Sequence, residues 1–182
     1  MTGIRCFVAV DLPGEMRDAI GRLQSRIATK GLRLVQPELV HVTIKFLGEV
    51  PETKVERVTD ALSKVTIAPF PALVASMGTF PERGDIRVVW LGLEGNFEEL
   101  FQLVESALGT IGFEREARGF SPHVTLGRVG RPGPETSREL HSKIASINDV
   151  DLGRFTVDRF CLKKSTLTRG GPIYEDLAGF AL

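Results

Sequence analysis

The chain has 182 residues, 42% of them hydrophobic and 25% charged, which is enough apolar material for the core of one domain or two small lobes. Its 23 basic and 23 acidic residues cancel, so a surface that coats nucleic acid broadly is excluded and only a local cluster could meet RNA. No apolar run approaches the ~20 residues that cross a bilayer, and Met1 to Val10 lacks the basic and apolar regions of a signal peptide, so the expected location is cytoplasmic.

Ile4 to Val10 reads as a strand, ended by the turn signal Asp11-Leu12-Pro13-Gly14. Met16, Ala19, Ile20, Leu23 and Ile27 then recur at helical spacing with charges between them. Leu32 to Val35 is a short strand candidate, and Val40 to Leu47 is a stronger one. Pro51 to Val65 presents Val55, Val58, Leu62 and Val65 on one helical face. Ala72 to Phe80 and Ile86 to Leu93 form a predicted hairpin around Pro81-Glu82-Arg83-Gly84-Asp85. Asn96 can cap a helix whose stripe is Phe97, Leu100, Phe101, Val104 and Leu108. His123 to Val129 is the next strand, and Leu140, Ile144 and Ile147 mark a helix after it. Phe155 to Leu162 and Ile173 to Leu182 close the chain as strands.

A strand–helix–strand–strand–helix order therefore occurs twice. Val8 precedes His41 by 33 positions and Val89 precedes His123 by 34. Such a repeat predicts an α+β fold of two pseudo-twofold lobes, each an antiparallel sheet with helices packed outside, around a central cleft. The chain then forms a single two-lobed domain over 1–182. Its units span approximately 1–80 and 81–165, and a C-terminal strand, 172–182, completes the sheets.

Only three histidines occur, and two of them open the pattern His-Val-Thr: His41-Val42-Thr43 and His123-Val124-Thr125. Alternate residues of a strand share a face, so His41 projects with Thr43 and His123 with Thr125, while Val42 and Val124 turn to the core. An imidazole near its ordinary pKa of ~6.5 can be neutral while its twin is charged, so one removes a proton and the other donates one. Opposed across a phosphorus atom, the pair suits in-line displacement, with the threonine hydroxyls donating to non-bridging oxygens. Neither motif offers a third ligand, so metal chemistry is poorly supported and no cofactor is expected. His141 lacks a threonine partner and falls on a polar helix face. Cys6 and Cys161 lie in apolar strand-like stretches without ligand spacing and read as core.

His41-Val42-Thr43-Ile44-Lys45-Phe46-Leu47-Gly48-Glu49 and Phe120-Ser121-Pro122-His123-Val124-Thr125-Leu126 resemble the two signatures of the 2H phosphoesterase superfamily. The likeness is to its bacterial and archaeal RNA 2′,3′-cyclic phosphodiesterase branch, also called 2′-5′ RNA ligase. The opening Phe7-Val8-Ala9-Val10-Asp11-Leu12-Pro13, Lys164-Ser165-Thr166-Leu167 and Gly171-Pro172-Ile173-Tyr174 resemble that branch as well. The resemblance implies metal-independent opening of RNA 2′,3′-cyclic phosphate ends to 2′-phosphates and, in some members, reversible ATP-independent 2′-5′ joining of tRNA halves. It implies His41 as general acid, His123 as general base, and Thr43 and Thr125 as phosphate ligands, in a protein expected to be a monomer and to need no membrane. Arg128 matches a basic residue that contacts phosphate in this branch. Strict alternation puts it on the face opposite His123, so a bulge or bend at Gly127 is required. Lys45 shares the face of His41 with an optional role, Phe46 alternates to the core, and Phe7 is ambiguous between packing and stacking a terminal base. Two other readings stand beside this one: an RNA-end binding protein without turnover, and a phosphodiesterase of small cyclic nucleotides.

Overall fold

Each predicted apolar stripe closes into a helix, and each run of alternating or wholly apolar residues pairs as a strand. The computed structural model describes residues 3–147, 150 and 152–182. In chain order the elements are β1 (Gly3–Asp11), α1 (Gly14–Ile27), β2 (Leu32–Leu34), a 3₁₀ turn (Pro37–Leu39), β3 (His41–Pro51), α2 (Glu52–Leu62), β4 (Phe70–Phe80), β5 (Val88–Glu94), α3 (Phe97–Gly109), β6 (His123–Val129), α4 (Pro134–Ala145), β7 (Arg154–Val157), β8 (Arg159–Thr168) and β9 (Gly171–Ala181).

The strands form two antiparallel sheets, one in the order β3-β1-β8-β9 and the other β2-β6-β5-β4-β7. With four α-helices among the described residues this is the α+β class that the sequence predicts. The units 1–80 and 81–165, however, do not coincide with the sheets. The last strand of each unit crosses over, β4 pairing with β5 in the second sheet and β8 with β1 in the first, and the short β2 of the first unit also joins the second sheet, beside β6. The crossing keeps the repeat symmetric, because β3-β1-β8 and β6-β5-β4 are equivalent orders. It also ties the two units together by backbone hydrogen bonds as well as by packing. The terminal strand β9 joins only the first sheet, at its edge beside β8.

The predicted strand Phe155 to Leu162 is two strands. β7 pairs with β4 in one sheet and β8 with β1 and β9 in the other, so the chain changes sheets at Asp158. Continuous apolar character cannot reveal that break, because both halves bury apolar residues: Phe155 and Val157 in one, Phe160, Cys161 and Leu162 in the other. One face of each sheet supplies the core, through Val8, Val42 and Ile44 in the first and Leu91, Val124 and Leu126 in the second. The stripe Phe97, Leu100, Phe101, Val104 and Leu108 of α3 is wholly buried against it. Each such side chain contributes roughly 1.5–3 kcal/mol. The opposite sheet faces remain available for polar side chains.

Candidate active site

β3 and β6 meet where the two sheets join, and each begins with its histidine. The core-facing Val42 and Val124 are fully buried, while His41, Thr43, His123 and Thr125 stay half-buried on the other face. These four side chains line one cleft of about 930 Å³. Both strands carry the same irregularity just past their threonine. In β6, Thr125 pairs with Trp90 and Gly127 with Val89, so Leu126 has no counterpart on β5. In β3, Thr43 pairs with Ala9 and Lys45 with Val8, which leaves Ile44 without one. An extra residue reverses the alternation beyond it.

The two bulges re-aim everything that follows. Arg128 returns to the cleft side, where it is exposed and lines the cavity with His123 and Thr125; the bulge that turns it lies at Leu126, one residue before the glycine. Its equivalent in the first lobe is Phe46. The expectation that Phe46 faces the core is corrected: the ring is 66% exposed and lines the cleft. Lys45 is corrected in the opposite sense. It is only 9% exposed, forms an ion pair with Glu105 of α3 and donates to the Glu114 carbonyl at 2.9 Å, away from His41. In both cases the alternation rule fails because it counts the bulged residue as a regular one. The second-lobe bulge is held from outside its own ladder. The Leu126 carbonyl accepts from the Val35 N–H at 2.9 Å and from Gln24 Nε2 at 2.9 Å, and Gln24, buried on α1, also donates to the Val35 carbonyl at 2.6 Å.

Both imidazoles are fixed in one tautomer. Nδ1 of His41 lies 2.7 Å from the Leu39 carbonyl oxygen, and Nδ1 of His123 lies 2.8 Å from that of Ser121. A carbonyl only accepts, so Nδ1 carries the hydrogen and Nε2 is left to exchange a proton with an occupant of the cleft. The preceding segments are themselves braced: Leu39 closes the 3₁₀ turn, and Phe120 stacks on Phe101 with centroids 4.5 Å apart. Aromatic rings back each histidine. Phe7, 2% exposed, lies 4.9 Å from the His41 ring, and Tyr174 meets it edge-on at 5.3 Å. Phe80 meets His123 edge-on at 5.5 Å, with Trp90 stacked on Phe80.

Burial pushes the His41 pKa below its ordinary value, and the charges of Lys163 and Arg17 act in the same direction; the Leu39 hydrogen bond and the Asp11 carboxylate oppose them. Asp11 stands directly opposite His41 in the β1–β3 ladder. Lys163 bridges Asp11 at 2.9 Å and Asp176 at 2.5 Å. Burial works against its charge, but its hydrogen bonds to Asp176 and Asp11 hold its pKa above the ordinary value. Among the described residues, Asp11, Cys161 and Asp176 have ligand atoms within 4.8 Å of one another. The Lys163 ammonium already supplies the positive charge between those two carboxylates, so the cluster fits an ion pair better than a metal site.

Tyr174, the only tyrosine in the chain, and Arg5, Arg33 and Arg169 also line the cleft and escape the sequence reading as site residues. Tyr174 lies in a stretch flagged by resemblance alone, and nothing in the local pattern of the arginines separates them from surface charges. Burial raises the Tyr174 phenol pKa, against the charges of Arg128 and Arg5. His141 is exposed on α4 and takes no part. Both cysteines are free and buried.

The sequence matches the family model of LigT-like phosphoesterases twice, over residues 10–90 and 92–174. It is 38% identical over 173 residues to the RNA 2′,3′-cyclic phosphodiesterase of Methanocaldococcus jannaschii, covering 94% of this chain and 97% of that protein. Its fold is similar to a crystal structure from Thermus thermophilus, with a TM-score of 0.83, 30% identity and coverage of 98% and 97% of the two chains. It is also similar to Escherichia coli LigT crystallised with 3′-AMP, at a TM-score of 0.79, 25% identity and coverage of 99% and 98%.

Proposed function

The chain belongs to the LigT-like phosphoesterase family, and on that premise we propose that it hydrolyses RNA 2′,3′-cyclic phosphate ends to 2′-phosphates by acid–base catalysis between His41 and His123. The name of the M. jannaschii relative supports the substrate, and the 3′-AMP in the E. coli protein supports a ribonucleotide in the cleft. The observation that carries the mechanism is the pair of histidines sharing one cleft, each with Nδ1 bound to a carbonyl and each followed by a threonine on the same face.

In this mechanism a water oxygen attacks phosphorus as the O3′–P bond breaks. The base takes the water proton at Nε2, and the acid delivers its Nε2 proton to O3′. Family resemblance assigns the acid to His41 and the base to His123. Thr43, Thr125 and Arg128 bind the non-bridging oxygens and stabilise their charge in the transition state. Ring strain and a singly charged phosphodiester let the reaction proceed with no metal or other cofactor. If a 5′-hydroxyl replaces the water, the same steps yield a 2′-5′ linkage without ATP, so reversible joining of tRNA halves falls within the proposal. The chain works in this reading as one two-lobed domain, a cytoplasmic monomer. No helix among the described residues is long and apolar enough to cross a membrane.

The test is incubation of the protein with a nucleotide or RNA 2′,3′-cyclic phosphate in excess EDTA. Ring opening is expected to persist. His41→Ala and His123→Ala are each expected to lose about 10²–10⁴-fold in kcat. Full activity in both variants would sink the acid–base mechanism, and loss on chelation would sink its metal independence. Tight binding of the cyclic end without product would favour the binding-protein reading instead.

A further inference from the structure

Charge is distributed unevenly in this neutral chain. Among the described residues the cleft lining carries four arginines, Arg5, Arg33, Arg128 and Arg169, and no carboxylate. None of the four forms an ion pair among the described residues. One reacting phosphodiester has a single negative charge, so a lining of four unpaired guanidiniums exceeds what it requires.

Arg33 and Arg128 sharpen the point. They stand directly opposite each other in the β2–β6 ladder, where like charges repel and destabilise the pair unless an anion lies between or beside them. Their side chains are also directed differently. Arg128 acts electrostatically on Tyr174, the ring beside His41. The Arg33 guanidinium lies over Gly130 at the exit of β6, where its Nη2 is 3.3 Å from the position a Cβ would take. With ~3.3 Å per strand residue, Gly130, five residues beyond Thr125, is about 13–16 Å along the strand from it. A phosphate held by His123 and Thr125 is therefore out of reach of a guanidinium placed there.

We propose that Arg33 forms a second phosphate site, which takes an upstream phosphodiester of an RNA strand whose cyclic end is held between the two histidines. The site makes the enzyme selective for oligonucleotide ends over cyclic mononucleotides, because only the former have a second phosphate to offer. The inference rests on the proposed function for the position of the reacting end. Arg33 is exposed, lines the same cleft and reaches Gly130 past the end of β6, so the strand leaves along β2 and the end of β6.

The experiment compares kcat/KM on a cyclic mononucleotide and on a short RNA with the same cyclic end, for the native chain and for Arg33→Met and Arg33→Lys. A parallel arm measures binding of a labelled RNA with an unreactive 3′-phosphate as salt is varied. The native chain is expected to prefer the oligonucleotide by about tenfold or more. Arg33→Met is expected to bring that ratio close to one and to flatten the log K against log salt slope by about 0.7, the value for one phosphate contact on a single strand. Arg33→Lys, which keeps the charge, is expected to retain most of the slope. An unchanged ratio and slope in Arg33→Met, or equal losses on both substrates, would overturn the second site. Turnover of neither substrate by the native chain would instead overturn the hydrolytic reading, and the binding arm would still decide the role of Arg33.

Discussion

Position by position, β3 and β6 share a skeleton and differ in what surrounds it. Each offers His, a buried Val, Thr and then a bulged aliphatic residue, and each locks its imidazole through a carbonyl two residues back. The neighbours diverge at every subsequent position. Opposite His41 stands Asp11, and opposite His123 stands Gly92. Opposite Thr43 stands Ala9, and opposite Thr125 stands Trp90. After the bulge the first lobe has Lys45 and Phe46 where the second has Gly127 and Arg128. The repeated part sets reaction geometry, which in-line displacement needs on both sides of phosphorus. The unrepeated part sets charge: one ring sits among ionic groups, and the other has an uncharged glycine opposite it and Phe80 and Trp90 beside it.

The largest effect that would break this comparison separates the two histidines by role. The pKa of His41 is depressed chiefly by burial, which favours the neutral ring in the free cleft, whereas the proposed acid must be protonated. The negative charge of bound substrate is what restores the proton. A nucleoside phosphodiester with a p-nitrophenolate leaving group needs no acid at all. On that substrate His41→Ala is expected to keep most of its native rate, although it loses about 10²–10⁴-fold on the cyclic phosphate; His123→Ala is expected to lose on both. Steady-state kinetics of four enzyme–substrate pairs checks this. The reverse pattern would exchange the two labels.

Next in size is the way each lobe holds its bulge. In the first, buried Lys45 is paired with buried Glu105, and Glu105 also accepts from the Glu116 N–H at 3.0 Å. Glu105→Ala leaves an uncompensated buried ammonium and is expected to cost about 3–5 kcal/mol in urea denaturation. In the second, the neutral amide of Gln24 does the bracing. Gln24→Leu leaves the Leu126 carbonyl its bond from Val35 and is expected to cost about 1–2 kcal/mol. It should also lower activity through Arg128, whose placement depends on that bulge. Gly127 completes the contrast, since a Cβ there would meet the Arg33 carbonyl oxygen and Leu32 Cδ1 at 3.0 Å. β2 can close on this bulge only over a glycine. In the first lobe β3 is a sheet edge, and Lys45 has room.

The four motif residues are legible in the sequence because period-two alternation is local: His, Val and Thr in succession dictate which side chains travel together. The helices are legible too, through their stripes. What lies beyond a sequence reading are events that depend on a neighbouring strand. A bulge is a mismatch between two ladders, so plain alternation assigns Phe46 and Lys45 to each other's faces. The passage from β7 to β8 at Asp158 is a choice between sheets, and both choices bury the same kind of residue. Arg33 acquires meaning only from Arg128 across the ladder, and Gln24 only from a carbonyl 102 positions away.

The smallest effect concerns the ionic groups that distinguish His41 from His123. If His41 must be protonated to act, kcat/KM falls as pH rises through its free-enzyme pKa. Asp11 raises that pKa, so Asp11→Asn is expected to move the alkaline limb to lower pH. Lys163 lowers it, so Lys163→Met is expected to move the same limb to higher pH, and the two carboxylates freed by the change act in the same sense. Arg17, which also lowers the pKa, and Tyr174, edge-on to the ring, are left in place in both variants. A purely structural role for the Asp11–Lys163 pair predicts similar damage from either substitution, because each breaks the same ion pair. Opposite displacements in the pH–rate profile therefore isolate the electrostatic contribution. Displacement in the same direction would mean that the asymmetry between the lobes is one of packing alone.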